Sequence, residues 1–235
     1  MRRVFSFLNL VVTTIVLSTV ALCASPFDRG GKISRKLSRL WAHIYLGIAG
    51  IKVSVTGVEK VAASPHIFMC NHQSALDIHV LLAYLPFSFR FIAKRSLFLI
   101  PFFGWAMKRA GHISLDRENP RKALKAMDEA AKRIQDGTNI LVFPEGTRSV
   151  DGNLLPFKTG VFSLAMKACV PIVPVGICGT SHLQPEGYQV PVRGGSVSIH
   201  IGDPIPVEGR GVSYKTEIAD EVRAAITRLI ACQKS

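Results

Sequence analysis

The chain has 235 residues, 48% of them hydrophobic, and its 29 lysines and arginines outnumber its 16 acidic residues, giving a net charge of +13. This length predicts one catalytic domain with an appended terminal segment, and it is enough to bury a substantial core. The charge favours an anionic partner and the hydrophobicity favours a membrane surface. Nucleic acid is not the expected partner, because lysine and arginine are scattered and no recognition motif is present.

The first predicted element is an apolar helix. Residues 4–23 carry no charge and are about as long as a helix that spans a bilayer. A cleaved signal peptide is one alternative, because residues 21–24 resemble a small-residue cleavage site. We favour an uncleaved anchor over residues 1–24, since the apolar run exceeds the roughly 7–15 residues of a signal-peptide core. A helix that lies on the membrane without crossing it is the other alternative.

Basic residues around this helix predict its orientation. Two arginines, Arg2 and Arg3, precede the apolar run, and five basic residues follow it closely. Those five are Arg29, Lys32, Arg35, Lys36 and Arg39. Positive charge is retained on the cytoplasmic side of membranes. The bias therefore predicts a catalytic domain on the cytoplasmic side, at the inner membrane if the protein is bacterial.

Two further stretches have an ambiguous relation to the membrane. Residues 25–50 are predicted to form an amphipathic interfacial helix and linker, because apolar residues recur every three or four positions from residue 33 onwards. These residues are Leu37, Leu40, Trp41, Ile44 and Tyr45. The helix either lies in the interface with its aromatic rings at headgroup depth or packs in the domain core. The apolar run 97–105 is too short to span a bilayer, so it either dips into the membrane or belongs to the core.

Residues 51–235 have the pattern of one α/β domain. Short β-rich runs alternate with helical runs, which predicts a mixed sheet flanked by helices. Strands are predicted at residues 51–55, 66–69, 89–93, 112–115, 139–143, 172–178 and 197–201, and helices at 74–84, 120–135, 159–168 and 214–231. The second helix has Asn119 as its expected N-cap and Pro120 as its first residue. Its predicted inner stripe is Leu124, Met127, Ala131 and Ile134.

An imidazole and a carboxylate stand five residues apart in the run from Asn71 to Asp77. Imidazole moves protons near neutral pH, and a carboxylate can hold the ring in one tautomer and stabilise its cation. Ser74 is expected to cap a helix, with Asp77 as the third residue of a capping box beside the loop that carries His72. Taken alone, His72 would be interpreted as a buried histidine bonded to a backbone carbonyl. Cys70 is expected to end a buried strand, so direct attack without an acyl-enzyme is favoured.

A second polar run, from Phe143 to Ser149, follows a predicted strand. Gly146 permits tight backbone geometry, and Arg148 offers a planar fork for phosphate oxygens that lysine cannot reproduce. Glu145 is expected to anchor the loop or a basic neighbour, because its charge would repel phosphate. A polar turn with solvated charges is the alternative for this loop.

Four blocks of the chain resemble the 1-acylglycerol-3-phosphate acyltransferases, an acyltransferase family of glycerolipid synthesis. The blocks are residues 71–77, 111–117, 143–149 and 170–175, in the family's order. The first and third are specific in combination. The second carries Leu115 where the family often has an aromatic residue or isoleucine, and the fourth has the pattern of a buried strand. The resemblance implies an acyltransferase domain over residues 51–235.

The resemblance also implies the reaction and the residues that perform it. A fatty acyl group would pass from an acyl thioester to the sn-2 hydroxyl of lysophosphatidic acid, giving phosphatidic acid, with His72 as the general base and Asp77 orienting it. The residues implied to bind the phosphorylated acceptor are Glu145, Gly146, Thr147 and Arg148. Basic residues between the first and third blocks are implied as further phosphate contacts, with Lys94 and Arg117 as candidates; Lys158 is a weaker one.

Three other functions are kept open. The same residues would suit acyl transfer to another lysolipid, such as a lyso-ornithine lipid or a lysophospholipid. A lipid or thioester hydrolase that used the pair on water would release free acid without an acceptor. A membrane-anchored lipid-binding protein would tolerate the loss of His72. No cofactor is predicted, and the acyl carrier, coenzyme A or acyl carrier protein, would be a co-substrate.

The cysteines and histidines predict neither a disulfide framework nor a metal site. The five cysteines are odd in number and form no close pairs, which favours a reducing compartment. They are Cys23, Cys70, Cys169, Cys178 and Cys232. The seven histidines are dispersed, and His72 and His79 are too far apart to be adjacent metal ligands on a helix.

Overall fold

Helices and strands alternate along the chain after an N-terminal pair of helices. A computed structural model describes residues 2–28, 30–62 and 65–231, so Arg29 and Cys232 lie outside the described residues. The helices are α1 (Arg2–Ala24), α2 (Lys32–Ala49), α3 (Leu76–Tyr84), α4 (Phe103–Arg109), α5 (Pro120–Gln135), α6 (Gly160–Ala168), α7 (Thr180–Leu183) and α8 (Lys215–Ala231). The strands are β1 (Ile51–Thr56), β2 (Ile67–Cys70), β3 (Phe89–Lys94), β4 (Ile113–Leu115), β5 (Asn139–Val142), β6 (Ile172–Cys178) and β7 (Gly195–Ile201).

The strands form one mixed sheet in the order β1-β7-β6-β2-β5-β3-β4. All neighbouring strands from β6 to β4 are parallel. β7 pairs antiparallel with β6, and β1 pairs parallel with β7. At the centre, Phe68 of β2 lies between Leu141 of β5 and Val173 of β6. β2 and β6 are buried along their whole length, as parallel strands covered on both faces should be. The predicted mixed α/β sheet is therefore confirmed.

Helices cover both faces of this sheet and enclose two hydrophobic cores. Alternate residues of a strand point to opposite faces, so Phe68 belongs to the core under α2 and α3, and Met69 belongs to the core under α5, α6 and α8. Tyr45 and Leu46 of α2 are each only 1% exposed. The inner side of α2 is therefore part of the domain core, which favours that alternative over the membrane interface.

Helix α1 packs against α2 and α4 with its small side chains inward. Ser6, Ser18 and Ala21 are buried, whereas the large apolar side chains face outward. Those outward residues are Val4, Phe5, Phe7, Leu8, Val11, Val12, Ile15, Val16 and Val20. This arrangement is typical of membrane helices, where small residues let helices approach closely and large apolar ones meet lipid. The helix is long and apolar enough over Arg3–Ala24 to cross a bilayer, which makes it a candidate anchor.

The apolar run at residues 97–105 lies on the surface beside this helix. It folds into a 3₁₀ turn, Arg95–Leu99, followed by α4, which packs on α1. Leu99 is 64% exposed and Trp105 is 51% exposed. The exposure of these two side chains favours the membrane-dipping alternative over a place in the core.

The boundaries of the helices and strands agree closely with those predicted from the sequence, with some corrections. Helix α5 begins as predicted, because the Asn119 side chain accepts the Lys122 N–H at 3.1 Å and proline follows at the first helical position. Its inner stripe differs from the prediction: Leu124 is 58% exposed, whereas Ala126 and Ala130 are buried. The short helices α4 and α7 were not predicted from the sequence.

Candidate active site

The candidate residues gather at the carboxyl edge of the parallel strands. Strands β2, β5, β3 and β4 run in the same direction, so the loops that follow them emerge at one edge of the sheet. His72 follows β2, Glu145 follows β5, Lys94 ends β3 and Arg117 follows β4. Residues that are far apart in sequence are therefore neighbours at the edge where α/β proteins commonly bind ligands.

His72 and Asp77 form a hydrogen-bonded pair. His72 Nδ1 lies 2.8 Å from Asp77 Oδ2, and the Asp77 side chain is 1% exposed against 16% for His72. Since a carboxylate can only accept, the contact assigns the ring proton to Nδ1 and leaves Nε2 free to accept one. The imidazole also stacks on Phe143 at 3.9 Å between ring centroids. The ring is thus held by an anion at one side and an aromatic face at the other.

The same carboxylate holds the turn that leads into α3. Asp77 Oδ2 accepts the backbone N–H groups of Gln73 and Ser74, both at 2.9 Å. The predicted capping box is present, because Ala75, directly before the assigned start of α3 at Leu76, already has helical angles (φ −63°, ψ −21°) and Ser74 stands before it. Ser74 Oγ accepts the N–H of Leu76 at 3.1 Å, and Asp77 in turn accepts the N–H of Ser74, so the two side chains cap the first turn reciprocally.

Neither neighbouring nucleophile is set up for covalent catalysis. Ser74 is 1% exposed, and its hydroxyl donates to the carbonyl of Gln184 at 2.7 Å. Cys70 is fully buried at the end of β2, and burial, followed by the nearby Asp77 carboxylate, raises the pKa of its thiol. A buried and protonated thiol is a poor nucleophile. Both observations favour direct attack by a substrate hydroxyl.

Glu145 ties the two polar loops together. Its Oε1 accepts the backbone N–H of His72 at 2.7 Å, and its Oε2 accepts the N–H of Leu155 at 2.7 Å. The residue is 1% exposed, and burial raises its pKa against the lowering effect of the two backbone donors. Ser149 N–H donates to the carbonyl of His72 at 2.9 Å. The backbone of His72 is therefore clamped on both its donor and its acceptor side by the loop after β5.

Arg117 and Lys158 meet the same loop at Gly146. The guanidinium of Arg117 donates to the Gly146 carbonyl, and burial lowers the pKa of Arg117. Gly146 has a φ of +74°, a left-handed conformation that glycine adopts at little cost. A Cβ at this position would lie 3.4 Å from Lys158 Cγ. The backbone geometry expected of Gly146 is present, and two basic side chains flank it.

Arg148, Thr147 and Lys94 are the more accessible candidates. Arg148 lies 3.8 Å from Glu186 in a half-exposed ion pair, and Thr147 is exposed on the loop. Lys94 is exposed and pairs in register with Leu115 of β4. Among the hydrogen bonds and ion pairs of the described residues, none joins Lys94 to the other candidates. The structure therefore brings Lys94 to the same edge but not into contact.

Sequence reasoning missed three polar residues around this site. Asn71 accepts the N–H of Ile177 at 2.7 Å and donates to its carbonyl at 2.9 Å, which pins the end of β2 to β6. Gln73 donates to the Gly152 carbonyl at 2.7 Å, and Glu186 pairs with Arg148. The position of Asn71 directly after a buried strand was a usable signal, whereas Glu186 lies in a loop without a motif.

Comparison with known proteins places the chain among acyltransferases. A family model described as Acyltransferase matches residues 52–178. The chain is 37% identical over 201 residues to the chloroplastic 1-acyl-sn-glycerol-3-phosphate acyltransferase BAT2 of Brassica napus, covering 83% of this chain and 58% of that protein. It is 38% identical over 189 residues to the Saccharomyces cerevisiae 1-acyl-sn-glycerol-3-phosphate acyltransferase, covering 79% and 62%. The chain thus spans about three fifths of the length of these curated relatives.

A solved structure matches over the whole chain. The crystal structure of PlsC from Thermotoga maritima, a 1-acyl-sn-glycerophosphate acyltransferase by its title, superposes with a TM-score of 0.83 at 29% identity. The match covers 100% of this chain and 98% of that one. The N-terminal helices are therefore included in the common architecture.

Proposed function

The chain belongs to the acyltransferase family, and on that premise we propose that it moves a fatty acyl group from a thioester to the sn-2 hydroxyl of lysophosphatidic acid. The product is phosphatidic acid. The names of the relatives support this acceptor, and the observation that carries the chemistry is the 2.8 Å contact between His72 Nδ1 and Asp77 Oδ2. This contact prepares Nε2 to accept a proton.

The proposed mechanism is a single displacement at the thioester. His72 Nε2 takes the proton from the acceptor hydroxyl while Asp77 stabilises the imidazolium. The alkoxide oxygen attacks the thioester carbonyl, a carbon–oxygen bond forms, and the carbon–sulfur bond breaks. The departing thiolate takes the proton back from the imidazolium, so the base is regenerated. Either coenzyme A or acyl carrier protein can supply the thioester, because both carry the acyl chain on a thiol.

The acceptor phosphate is proposed to bind at the loop after β5. Arg148 is partly exposed and paired only loosely with Glu186 at 3.8 Å, so its guanidinium fork is available to phosphate oxygens. Thr147 lies beside it on the loop, and Lys94 adds positive charge at the same edge of the sheet. The loop itself is held in place by Glu145, Gly146 and Arg117 through the contacts described above.

The membrane supplies the lipid acceptor, and α1 is proposed to hold the enzyme there. Its outward apolar face contacts lipid, and the basic residues that follow it lie on α2. The described ones are Lys32, Arg35, Lys36 and Arg39. Such a bias supports a catalytic domain on the cytoplasmic side, at the inner membrane if the protein is bacterial.

The test is acyl transfer by purified wild type and His72→Ala protein in detergent or lipid. Each receives an acyl thioester of coenzyme A or acyl carrier protein, with lysophosphatidic acid, another lysolipid or no acceptor. We expect phosphatidic acid from wild type and from the control His182→Ala, which removes an exposed histidine, but not from His72→Ala. Near-normal transfer by a folded His72→Ala protein would contradict the role of the base. Free acid without acceptor would indicate hydrolysis, and product only from another lysolipid would change the acceptor.

A further inference from the structure

The connecting segment, residues 153–158, joins the loop after β5 to helix α6 and has no helix or strand of its own. It touches the candidate active site at two points. Leu155 N–H donates to Glu145 Oε2 at 2.7 Å, and Lys158 N–H donates to the carbonyl of Pro144 at 2.8 Å. Backbone without regular structure takes its position from contacts with other parts of the molecule. Whatever holds this segment therefore also determines where Leu155 meets Glu145.

Arg223 of α8 holds the connecting segment by its backbone. Its Nη1 donates to the carbonyl of Leu155 at 2.7 Å, and its Nη2 donates to the carbonyl of Leu154 at 3.0 Å. The guanidinium also lies over the ring of Phe157, 5.7 Å from the ring centroid. A guanidinium is planar and presents its N–H groups as a fixed fork. Arg223 can therefore bind two successive carbonyls at once, which fixes the direction of the backbone there.

The helix that carries Arg223 is firmly packed on the domain. Val222 and Ile226, which flank Arg223 on α8, are both 0% exposed and belong to the core under α5, α6 and α8. Helix α8 also packs on β6, a central strand of the sheet. Arg223 is therefore a fixed point relative to the strands that carry the candidate active site, although it lies outside residues 52–178, the range matched by the family model.

A single peptide group links Arg223 to Glu145. The peptide between Leu154 and Leu155 accepts from Arg223 through its carbonyl and donates to Glu145 through its N–H. Peptide bonds are trans throughout the described part of the chain, so this carbonyl and this N–H point in opposite directions. The cation and the carboxylate therefore pull the peptide along one line. Hydrogen bonds joined in this way polarise and strengthen one another.

Glu145 continues the chain of hydrogen bonds to the base. Its other oxygen, Oε1, accepts the backbone N–H of His72 at 2.7 Å. Three hydrogen bonds thus connect α8 to the backbone of His72, through the Leu154–Leu155 peptide and Glu145. A carboxylate held at both oxygens has one orientation, whereas loss of either partner lets it turn. Since a misplacement of about 1 Å can cost roughly a hundredfold in rate, the orientation of Glu145 matters for proton transfer by His72.

We propose that Arg223 is a positioning residue for acyl transfer, which holds the Leu154–Leu155 peptide so that Glu145 fixes the backbone of His72. This role rests on the proposed function, because it requires His72 as the general base. Arg223 touches no reacting atom and acts only through the peptide and Glu145. Its loss should therefore lower kcat. The acceptor KM should change little, because the acceptor phosphate is proposed to bind at Arg148.

A double-mutant cycle in the acyl-transfer assay tests this proposal, with kcat and acceptor KM measured for wild type, Arg223→Gln, Glu145→Gln and the double variant of the full chain. Arg223→Gln should lower kcat about fivefold and change KM by less than about twofold. Glu145→Gln should lower kcat about tenfold. The double variant should also lose about tenfold, because the second change has no intact chain of hydrogen bonds left to break. A loss near the product, roughly fiftyfold, would show independent roles and overturn the proposal. A raised KM with unchanged kcat in Arg223→Gln would overturn it as well.

Three further variants keep the test decisive. Arg210→Gln is the matched control, because Arg210 pairs with Glu221 of the same helix at 2.6 Å, and it should keep wild-type kcat. An equal loss in this control would assign the effect to a general disturbance of α8 and refute the proposal. If Arg223→Gln does not fold, Arg223→Lys takes its place in the cycle; lysine cannot hold both carbonyls, so kcat should fall about threefold, again without adding to Glu145→Gln. His72→Ala separates the two proposals: an active His72→Ala enzyme refutes the base itself, whereas an inactive one with independent effects in the cycle refutes only the role of Arg223.

Discussion

Replacing Asp77 with asparagine tests what the negative charge of Asp77 contributes to the His72–Asp77 pair. Asp77 Oδ2 accepts from His72 Nδ1 at 2.8 Å and from the backbone N–H groups of Gln73 and Ser74 at 2.9 Å. An amide oxygen can accept the same three hydrogen bonds, so we expect the variant to fold. The change removes the negative charge that, in the proposed mechanism, stabilises the imidazolium of His72.

The expected loss follows from the geometry of this pair. Two unit charges about 4 Å apart interact by about 4 kcal/mol at an effective dielectric constant of roughly 20. Solvent screening is weak, because the Asp77 side chain is 1% exposed. Since about 1.4 kcal/mol is a factor of ten in rate, kcat should fall roughly a thousandfold. The KM for the acceptor should change by less than about threefold, because the carboxylate stabilises only the transition state.

The test measures both the acyl-transfer kinetics and the thermal unfolding midpoint of the Asp77→Asn protein. Asp203→Asn is the matched control, because Asp203 is exposed, pairs with Lys60 and follows β7 at the other edge of the sheet. The control should keep wild-type kcat. A folded Asp77→Asn protein that loses less than about tenfold in kcat would refute the assignment of Asp77 as the stabilising charge.

Three further substitutions test the phosphate loop, the clamp and a buried ring. Arg148→Lys should raise the acceptor KM roughly tenfold with little change in kcat, because lysine cannot form the paired hydrogen bonds of a guanidinium. Glu145→Gln should lower kcat about tenfold and lower the thermal midpoint, because an amide NH₂ would face one of the two backbone N–H groups that the carboxylate binds. His79→Phe should make the fold less sensitive to acid. Burial lowers the pKa of His79 to about 4, so between about pH 6.5 and 4 the unfolded chain binds a proton that the folded chain excludes, and wild-type stability falls across that window.

Each of these expectations has its own measurement. Kinetics at varied acceptor concentration separates KM from kcat for Arg148→Lys and Glu145→Gln. Arg193→Lys is the matched control for Arg148→Lys, because Arg193 is an exposed arginine. An Arg148→Lys enzyme with unchanged KM would contradict a phosphate contact there. Urea unfolding at pH 5 and 7.5 measures the third, where His79→Phe should reduce the difference between the two stabilities by about 2 kcal/mol. An unchanged pH dependence would show that His79 titrates normally.

Local sequence patterns predicted the elements that carry the site. Apolar β-rich runs marked the central strands, and Asn119 with Pro120 marked the start of α5, because capping depends on residues within one turn. The stripe of α5 was partly wrong: Leu124 is exposed and Ala126 is buried. Periodicity identifies the apolar face of a helix but not how closely the neighbouring elements pack on that face. In α5 the small residues Ala126 and Ala130 face the core.

Contacts between distant loops were beyond the reach of local patterns. Glu145 binds the backbone of His72 across 73 residues, and Arg117 binds Gly146 across 29. Both contacts exist because parallel strands deliver their loops to one edge of the sheet, and that strand order is not encoded in any single segment.

The sequence by itself determined the α/β class, the apolar N-terminal helix and the spacing of His72 and Asp77, because each depends on neighbouring residues. Only the tertiary structure decided which side of that helix faces the protein. It buried Ser6, Ser18 and Ala21 and left the large apolar side chains outside, which hydropathy averaged over a window cannot distinguish. It also decided that Glu145 holds the backbone of His72, since a carboxylate can do so only where folding buries it beside two backbone N–H groups.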